Sequence, residues 1–383
     1  SDSQGSENVT EVGQSVSEIQ VQRKSATGHY IQSDVSNLFY SYTVGDGFTF
    51  YQYDNKKIAS IQPAGAVNAV VEVGGEVLSV KVDYVEIKDE IFGMGVFNGS
   101  YNGSVVVFKL VNLPKGYEQD GKALLLVTTN PEAVSQHCNV WSESFVVDLA
   151  SGKTTRFLST DNNPYSTGYS ILTDEGYSLT NGKIPFFTSR EYDAGTNKRD
   201  IFLKDNGKEL LFAEDIAGSF VYVDGNTISY LKATENGFDV TKKVNGKEQV
   251  IFSLHDNTSY LYHNEYLLDK YSGNLYNVKT GEKKVLEGYG MTNPEMMVVS
   301  DDGRYLVVSG TVNSAIDYQV HIFDLKKNNC AKYVDDNFSQ HKNLSFVDNK
   351  TIVYSVVEPS QGYEYVILDV SKAFLILTNC MLH

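Results

Sequence analysis

Two kinds of short polar turn alternate along this chain at a near-constant spacing, and that periodicity constrains the fold more than any other feature. The first kind reads "LTDEGYSL" (172–179), "YVDGNTISY" (222–230), "HNEYLL" (263–268), "SDDGRYLVV" (300–308) and "FVDNKTIVY" (346–354), with weaker copies at 33–42 and 117–127. The second kind follows each copy of the first: "FVVDLASGKTTRFL" (145–158), "IFLKDNGKELLF" (201–212), "VTKKVNGKEQVIF" (240–252), "NLYNVKTGEKKVL" (274–286) and "HIFDLKKNNCAKYV" (321–334), bracketed by 50–61 and 365–377. Each copy sets Asp, Asn or Gly between two apolar runs. Those residues tolerate left-handed backbone and hydrogen-bond their own main chain, which a tight hairpin requires.

Marking the first turn at Gly176, Gly225, Asn264, Asp302 and Asn349 gives steps of 49, 39, 38 and 47 residues. The second turn, marked at Gly152, Gly207, Gly246, Gly281, Lys327 and Ser371, steps by 55, 39, 35, 46 and 44. Val, Ile, Tyr, Phe and Thr dominate the runs between them, and no long stretch shows helical apolar spacing. Two interleaved turns with a common spacing imply four strands per unit, the pattern of a β-propeller blade. The expected fold is therefore all-β. It is a single propeller over 18–383 with eight four-stranded blades, near 30–62, 70–112, 118–158, 168–214, 218–253, 257–287, 293–335 and 342–379. Extra strand-like runs at 84–97 and 104–110 make the second unit irregular, and merging it with a neighbour gives seven blades. The run "EIQVQ" (18–22) is placed to complete the last blade and clasp the circle. A stack of β-sandwiches is the competing architecture. It predicts irregular turn spacing and Pro/Gly-rich linkers, which the sequence lacks after residue 20.

Charge and cysteine usage narrow the partners. A formal charge of −16 gives no basic surface for phosphate, so no nucleic acid is expected, nor electrostatic docking on an anionic membrane. Three cysteines, Cys138, Cys330 and Cys380, make no disulfide framework and no zinc pair. No apolar run is long enough to span a bilayer. Residues 1–17, "SDSQGSENVTEVGQSVS", hold almost no apolar side chains and are expected to be a disordered polar linker. Such a stretch resembles the tether after the lipid-bearing cysteine of a bacterial lipoprotein. A cloning boundary explains it equally well. No cofactor and no metal are expected, and the protein is read as a monomer.

The turns also carry a resemblance. "SDDGRYLVVSG" (300–310) resembles the S-x-D-G-x-x-L turn of TolB-like and other bacterial extracytoplasmic propellers. "VVDLASGKTTRF" and "LYNVKTGEKKVL" resemble the D-x-x-T-G-K segment of quinoprotein-like propellers. The likeness implies the fold and a place outside the cytoplasm, at the cell surface or in the periplasm, with lipid anchoring at the N-terminus as one form. It implies no quinone, because the Trp that follows the quinoprotein turn is replaced by Arg156-Phe157 and Val285-Leu286. The chain's one Trp, Trp141, lies outside any such turn. No G-x-S-x-G is present.

Both tight-turn series are expected on one face, leaving the long connections on the other: 97–104, 128–144, 188–200, 310–319 and 358–365. Loops on a rigid scaffold are where binding concentrates. The candidate ligand-binding residues there are His137, Trp141, Arg190, Tyr192, Asp193, Asp317, Tyr318, Glu358 and Tyr363. Plainer readings stand beside them: Trp141 packing a loop, Arg190 pairing with Asp193, Cys138 as a buried thiol. The sequence favours a non-catalytic protein that binds a protein, peptide or glycan on this face. The alternative is a glycan-active hydrolase or lyase with paired carboxylates at the channel mouth, drawn from Glu132, Glu191, Asp193, Asp317 and Glu358. Two convergent carboxylates, one with a raised pKa, would favour the enzyme.

Overall fold

The structure, a computed structural model, describes residues 22–26, 29–32, 38–43, 47–54, 57–73, 75–87, 89–97, 99–101, 105–113, 117, 120–128, 143–157, 166–171, 184–190, 198–205, 208–255, 260–312, 318–334, 340–358 and 362–374. The candidates His137, Trp141, Tyr192, Asp193 and Asp317 lie outside these residues, as does the linker 1–17. The described residues form six sheets of antiparallel strands and one short 3-10 helix, Val370–Phe374. Among them, no helix is long and apolar enough to cross a membrane. The chain divides into two compact units, one spanning Thr27–Thr258 with Asn277–Glu282, the other Ser1–Ala26, Ser259–Tyr276 and Lys283–His383.

The first unit holds three sheets. The first sheet has four strands between 29 and 61. The second has seven between 65 and 156, and the third has seven between 166 and 255. The expectation of four-stranded units throughout is corrected here. The strands Glu76–Ile87, Glu90–Phe97 and Val106–Val111 pair in unbroken succession, so the two units expected at 70–112 and 118–158 are one sheet. The units expected at 168–214 and 218–253 share the 17-residue strand Lys208–Asp224. It pairs first with Lys198–Asp205 and then, past an irregularity at Ala217/Val221, with Thr227–Thr234. A strand long enough to serve two partners leaves no break for a blade boundary.

The second sheet rolls until its edges meet, nearly closing a barrel. Its first strand, Gly65–Val73, alternates strictly: Val67, Ala69, Val71 and Val73 are buried, and the residues between them are not. The buried set packs with Val82, Phe108, Leu110, Leu125, Phe145 and Val147 to fill the interior. The seam is made by the turn after the strand Glu143–Asp148. Val70 N donates to Gly152 O at 3.4 Å, Thr154 Oγ1 donates to Val70 O, and Arg156 Nη2 donates to Glu72 O at 3.3 Å. The outer face packs on the first sheet through Phe50, Val85, Phe92 and Met94.

The second unit also holds three sheets, each of four strands: the fourth between 260 and 285 (apart from 277–282, which group with the first unit), the fifth between 293 and 334, and the sixth between 340 and 369. The sixth is completed from the start of the chain. Gln22–Ala26 pairs antiparallel with Gly362–Asp369, slightly later than the expected 18–22. The run 365–377 is no hairpin, since Asp369 leads straight into the short helix. The fifth sheet is buried on both faces. Val307, Val320 and Ile322 meet the sixth sheet through Leu344, Ile352 and Val366. Leu306, Val308 and Phe323 meet the fourth through Leu268 and Leu275.

One side-chain device repeats at the turns. The Oδ1 of Asp148 accepts the amides two and three residues on, and Asp269, Asn277, Asp324 and Asp348 do the same. In the turn 300–304, Ser300 Oγ donates to Asp302 Oδ1 at 2.7 Å, Arg304 N donates to the same oxygen at 3.0 Å, and Gly303 takes φ +69°. Asp302 N donates to Asn349 Oδ1 at 3.0 Å, so the first-kind turns of the fifth and sixth sheets share a rim, as expected. The fourth sheet departs from the scheme, because its opposite connection, 270–273, is also tight.

Arg304 clamps the two turn kinds of the fifth sheet together, its Nε and Nη2 donating to the two oxygens of Asp324 at 2.9 and 2.8 Å. Burial alone would raise the Asp324 pKa. Arg304 and the amides of Lys327 and Lys326 overcome it and hold the carboxyl below its ordinary range. The unfolded carboxyl titrates near ~3.9. This stabilisation is therefore complete above that pH and is lost as pH falls through the lower folded value. Asp324→Asn is expected to cost ~2 kcal/mol at neutral pH. It should also flatten the acid limb of a stability–pH curve measured by urea unfolding; an unchanged limb would remove the clamp from the account.

Candidate functional site

The strand Glu143–Asp148 emerges from the long connection that the sequence marks as functional. Phe145 and Val147 point into the rolled sheet, so the two-residue period sets Glu143 on that inner face, at its end. Arg156 lies opposite Phe145 in the neighbouring strand and shares its face. Its guanidinium sits 5.2 Å from the Phe145 ring centroid and its Nη1 lies 3.4 Å from Glu143 Oε1. The other oxygen, Glu143 Oε2, is buried with no hydrogen-bond partner among the described residues. One carboxylate oxygen is thus paired at the seam and one is shut away from water.

That asymmetry sets the acid's chemistry. Burial pushes the Glu143 pKa up. The Arg156 charge and hydrogen bond pull it down, the charge of Glu72 pushes it up again, and the balance is a raised value. Asp148, Glu248 and Asp324 are shifted the other way, each held down by hydrogen bonds. Among the described carboxyl groups with a resolved shift, Glu143 is the one shifted toward its protonated form. A carboxylic acid in that state can give a proton to a leaving group.

The other unit carries a second polar cluster, at the end of the fifth and sixth sheets away from their shared turn rim. Ser309 Oγ and His341 Nδ1 are 2.7 Å apart and both residues are buried. The His341 ring centroid lies 5.4 Å from Tyr318 and 4.8 Å from Tyr354, and Tyr318 Oη donates to the exposed Glu295 at 3.3 Å. A serine bonded to a histidine has the form of a nucleophile and its base, but with both sealed between sheets it serves packing.

Of the sequence candidates, Tyr318 alone has a described side chain, and it is a buried packing group rather than an exposed binding one. Arg190 ends its strand opposite Ser166. Glu358 and Tyr363 stand at the ends of adjacent strands, opposite Gly362 and Val357. Arg190 thus ends its strand at the connection 191–197, whereas Glu358 and Tyr363 flank the short hairpin connection 359–361, where a long one was expected. Glu143 lies within the segment 128–144, but a glutamate's burial does not register in sequence, so nothing there sets it apart. No group of three or more His, Cys, Asp or Glu that could hold a metal occurs among the described residues.

No protein family and no curated protein matches the chain. Solved structures give distant likenesses to proteins with propeller or related domains. A puromycin hydrolase is 10% identical with a TM-score of 0.48, covering 91% of this chain and 53% of its own, so the chain spans about half of that protein. An oligogalacturonate lyase in complex with manganese is 12% identical (TM-score 0.39; 82% of this chain, all of the other). TolB from Acinetobacter baumannii is 11% identical (TM-score 0.36; 88% of this chain, 79% of the other). Scores this low fix neither family nor activity. Two of these three likenesses are to enzymes, a hydrolase and a lyase, which runs against the expectation of a non-catalytic protein without assigning an activity to this chain.

Proposed function

We propose that the chain is a glycan-active enzyme, a hydrolase or lyase, with Glu143 as its general acid at the mouth of the rolled sheet. The observation that carries this reading is the raised pKa of Glu143, produced by a buried and unpartnered Oε2. Hydrolysis of a glycosidic bond needs a protonated carboxyl beside the leaving oxygen and a second carboxylate as base or nucleophile, whereas elimination needs the same proton donor and a base for a ring C–H. Glu72, whose charge is felt by Glu143, is the described partner, and Glu132, Glu191 and Asp193 remain candidates with it. His137 and Trp141, just upstream of Glu143 in sequence, would contact the sugar, with Arg190 and Tyr192 as the other ligand residues of the reading.

The wider reading is propeller-like packing of four-stranded sheets in the second unit, in a chain tethered outside the cytoplasm by 1–17. Support comes from the second unit: a fifth sheet buried on both faces, a sixth completed by Gln22–Ala26, and TolB-like turns gathered at one rim. The test of function is a panel of neutral and acidic polysaccharides incubated with the purified chain. New reducing ends would report hydrolysis, and absorbance of an unsaturated product would report elimination. No product from any substrate across pH 4 to 8 would remove the enzyme reading.

A further inference from the structure

We propose that the packing of the fourth sheet on the fifth is an acid-sensitive joint, held by two histidines that must both be neutral. His321 lies on the strand Tyr318–Asp324 between Val320 and Ile322, which face the sixth sheet, so its own side chain faces the fourth along with Phe323. It is 1% exposed. Its Nε2 lies 2.9 Å from Gln319 Oε1, which makes Nε2 the protonated nitrogen. Nδ1 is then a bare acceptor, buried with no hydrogen-bond partner among the described residues. His263, across the joint on the fourth sheet, accepts the amide of Val299 on its Nδ1 at 3.0 Å. An imidazolium cannot accept that bond, so protonation there also breaks a link between the sheets.

The surroundings offer an imidazolium at 321 little compensation. Lys332, opposite His321 in the next strand, opposes a second positive charge. The thiol of Cys330, also on that strand, is pushed up to about 12 by burial and stays neutral. The connection from the fourth sheet runs close over this strand, since a Cβ on Gly288 would lie 3.1 Å from that of Cys330. Tyr289, which packs beside Phe323, is a half-buried phenol whose pKa burial pushes up, so it stays neutral. The buried carboxylate of the facing sheet, Asp269, is engaged by the amides of Tyr271 and Ser272.

Burial, with Lys332 adding to it, pushes the His321 pKa down to about 3. An exposed histidine titrates near ~6.5. Opening the joint therefore takes up a proton between those values. The packing is at full strength above the upper one and weakens as pH falls, by about 30-fold in the opening equilibrium at pH 5 from His321 alone.

Hydrogen exchange of the full chain, followed peptide by peptide at pH 7 and pH 5 and corrected for intrinsic rates, tests this. In the wild type, amides of Tyr260–His263 and Tyr266–Asp269 should lose protection by about 30-fold or more at pH 5. Those of Thr351–Glu358 and Gly362–Asp369 should hold. In His321→Leu the loss should shrink by about that factor, and in the His263→Gln/His321→Leu double variant it should vanish. Unchanged wild-type protection, equal loss in the sixth sheet, or an unaltered loss in the double variant would overturn the proposal. Should the variants not fold, a wild-type opening that fails to grow with acidity below pH 6 overturns it as well.

Discussion

Gly152→Ala is expected to destabilise the protein by roughly 2–5 kcal/mol, seen as a lower urea midpoint and melting temperature. Gly152 has φ +72°, a backbone that side-chain-bearing residues adopt at a cost. A Cβ there would also collide with the backbone carbonyl oxygen of Asn68 in the strand across the seam. The methyl group can be accommodated only by parting the edges of the rolled sheet. That removes the Val70–Gly152 bond and displaces Thr154 and Arg156 from Val70 and Glu72. Gly121→Ala is the control, because it has φ +63° but nothing within 4 Å of the added carbon. It should cost only ~1–2 kcal/mol, from backbone strain alone. Equal losses at the two positions would mean that the seam contributes nothing.

Glu143→Gln is expected to lower kcat by about 10²- to 10⁴-fold on whichever glycan the chain cleaves, with folding intact. Glutamine keeps the shape and cannot supply the proton. The wild-type rate should fall as pH rises through the raised Glu143 pKa, since the protonated form is the active one. Arg156→Gln takes away the charge and hydrogen bond that pull that pKa down, so the basic limb should move to higher pH. It leaves the acid itself in place, so the limb moves rather than disappearing. A Glu143→Gln variant with wild-type kcat, or an Arg156→Gln limb that does not move, would separate this carboxyl from catalysis.

The turns were legible in the sequence because their chemistry is local. "SDDGR" specifies its hydrogen bonds within five residues, and the Asp or Asn that opens a turn acts on amides two and three positions away. The partition into sheets was not legible, because it depends on what each strand pairs with. Turn spacing cannot reveal that Lys208–Asp224 serves two partners, or that 84–97 and 106–111 continue one sheet. The site divides in the same way. Long connections could be recognised from their composition, and Glu143 lies at the end of one. Its chemistry comes from Arg156, brought beside it by pairing with the adjacent strand, and from the seam with Glu72, which exists only once the sheet has rolled. Tyr318 shows the converse, a polar aromatic in a marked loop that folds inward onto His341. His321 and His341 sit in strands that read as ordinary core, so nothing marks them before the sheets pack.

The carboxyl of Glu143 can be followed directly by carbon NMR of glutamate-labelled protein, with Glu143→Gln identifying its signal. The account predicts a midpoint clearly above the ~4.3 of a free glutamate side chain. It also predicts a further rise in Arg156→Gln. A midpoint at or below the free value would contradict it, because the carboxyl would then be ionised at working pH and no proton donor would stand at the mouth of the rolled sheet.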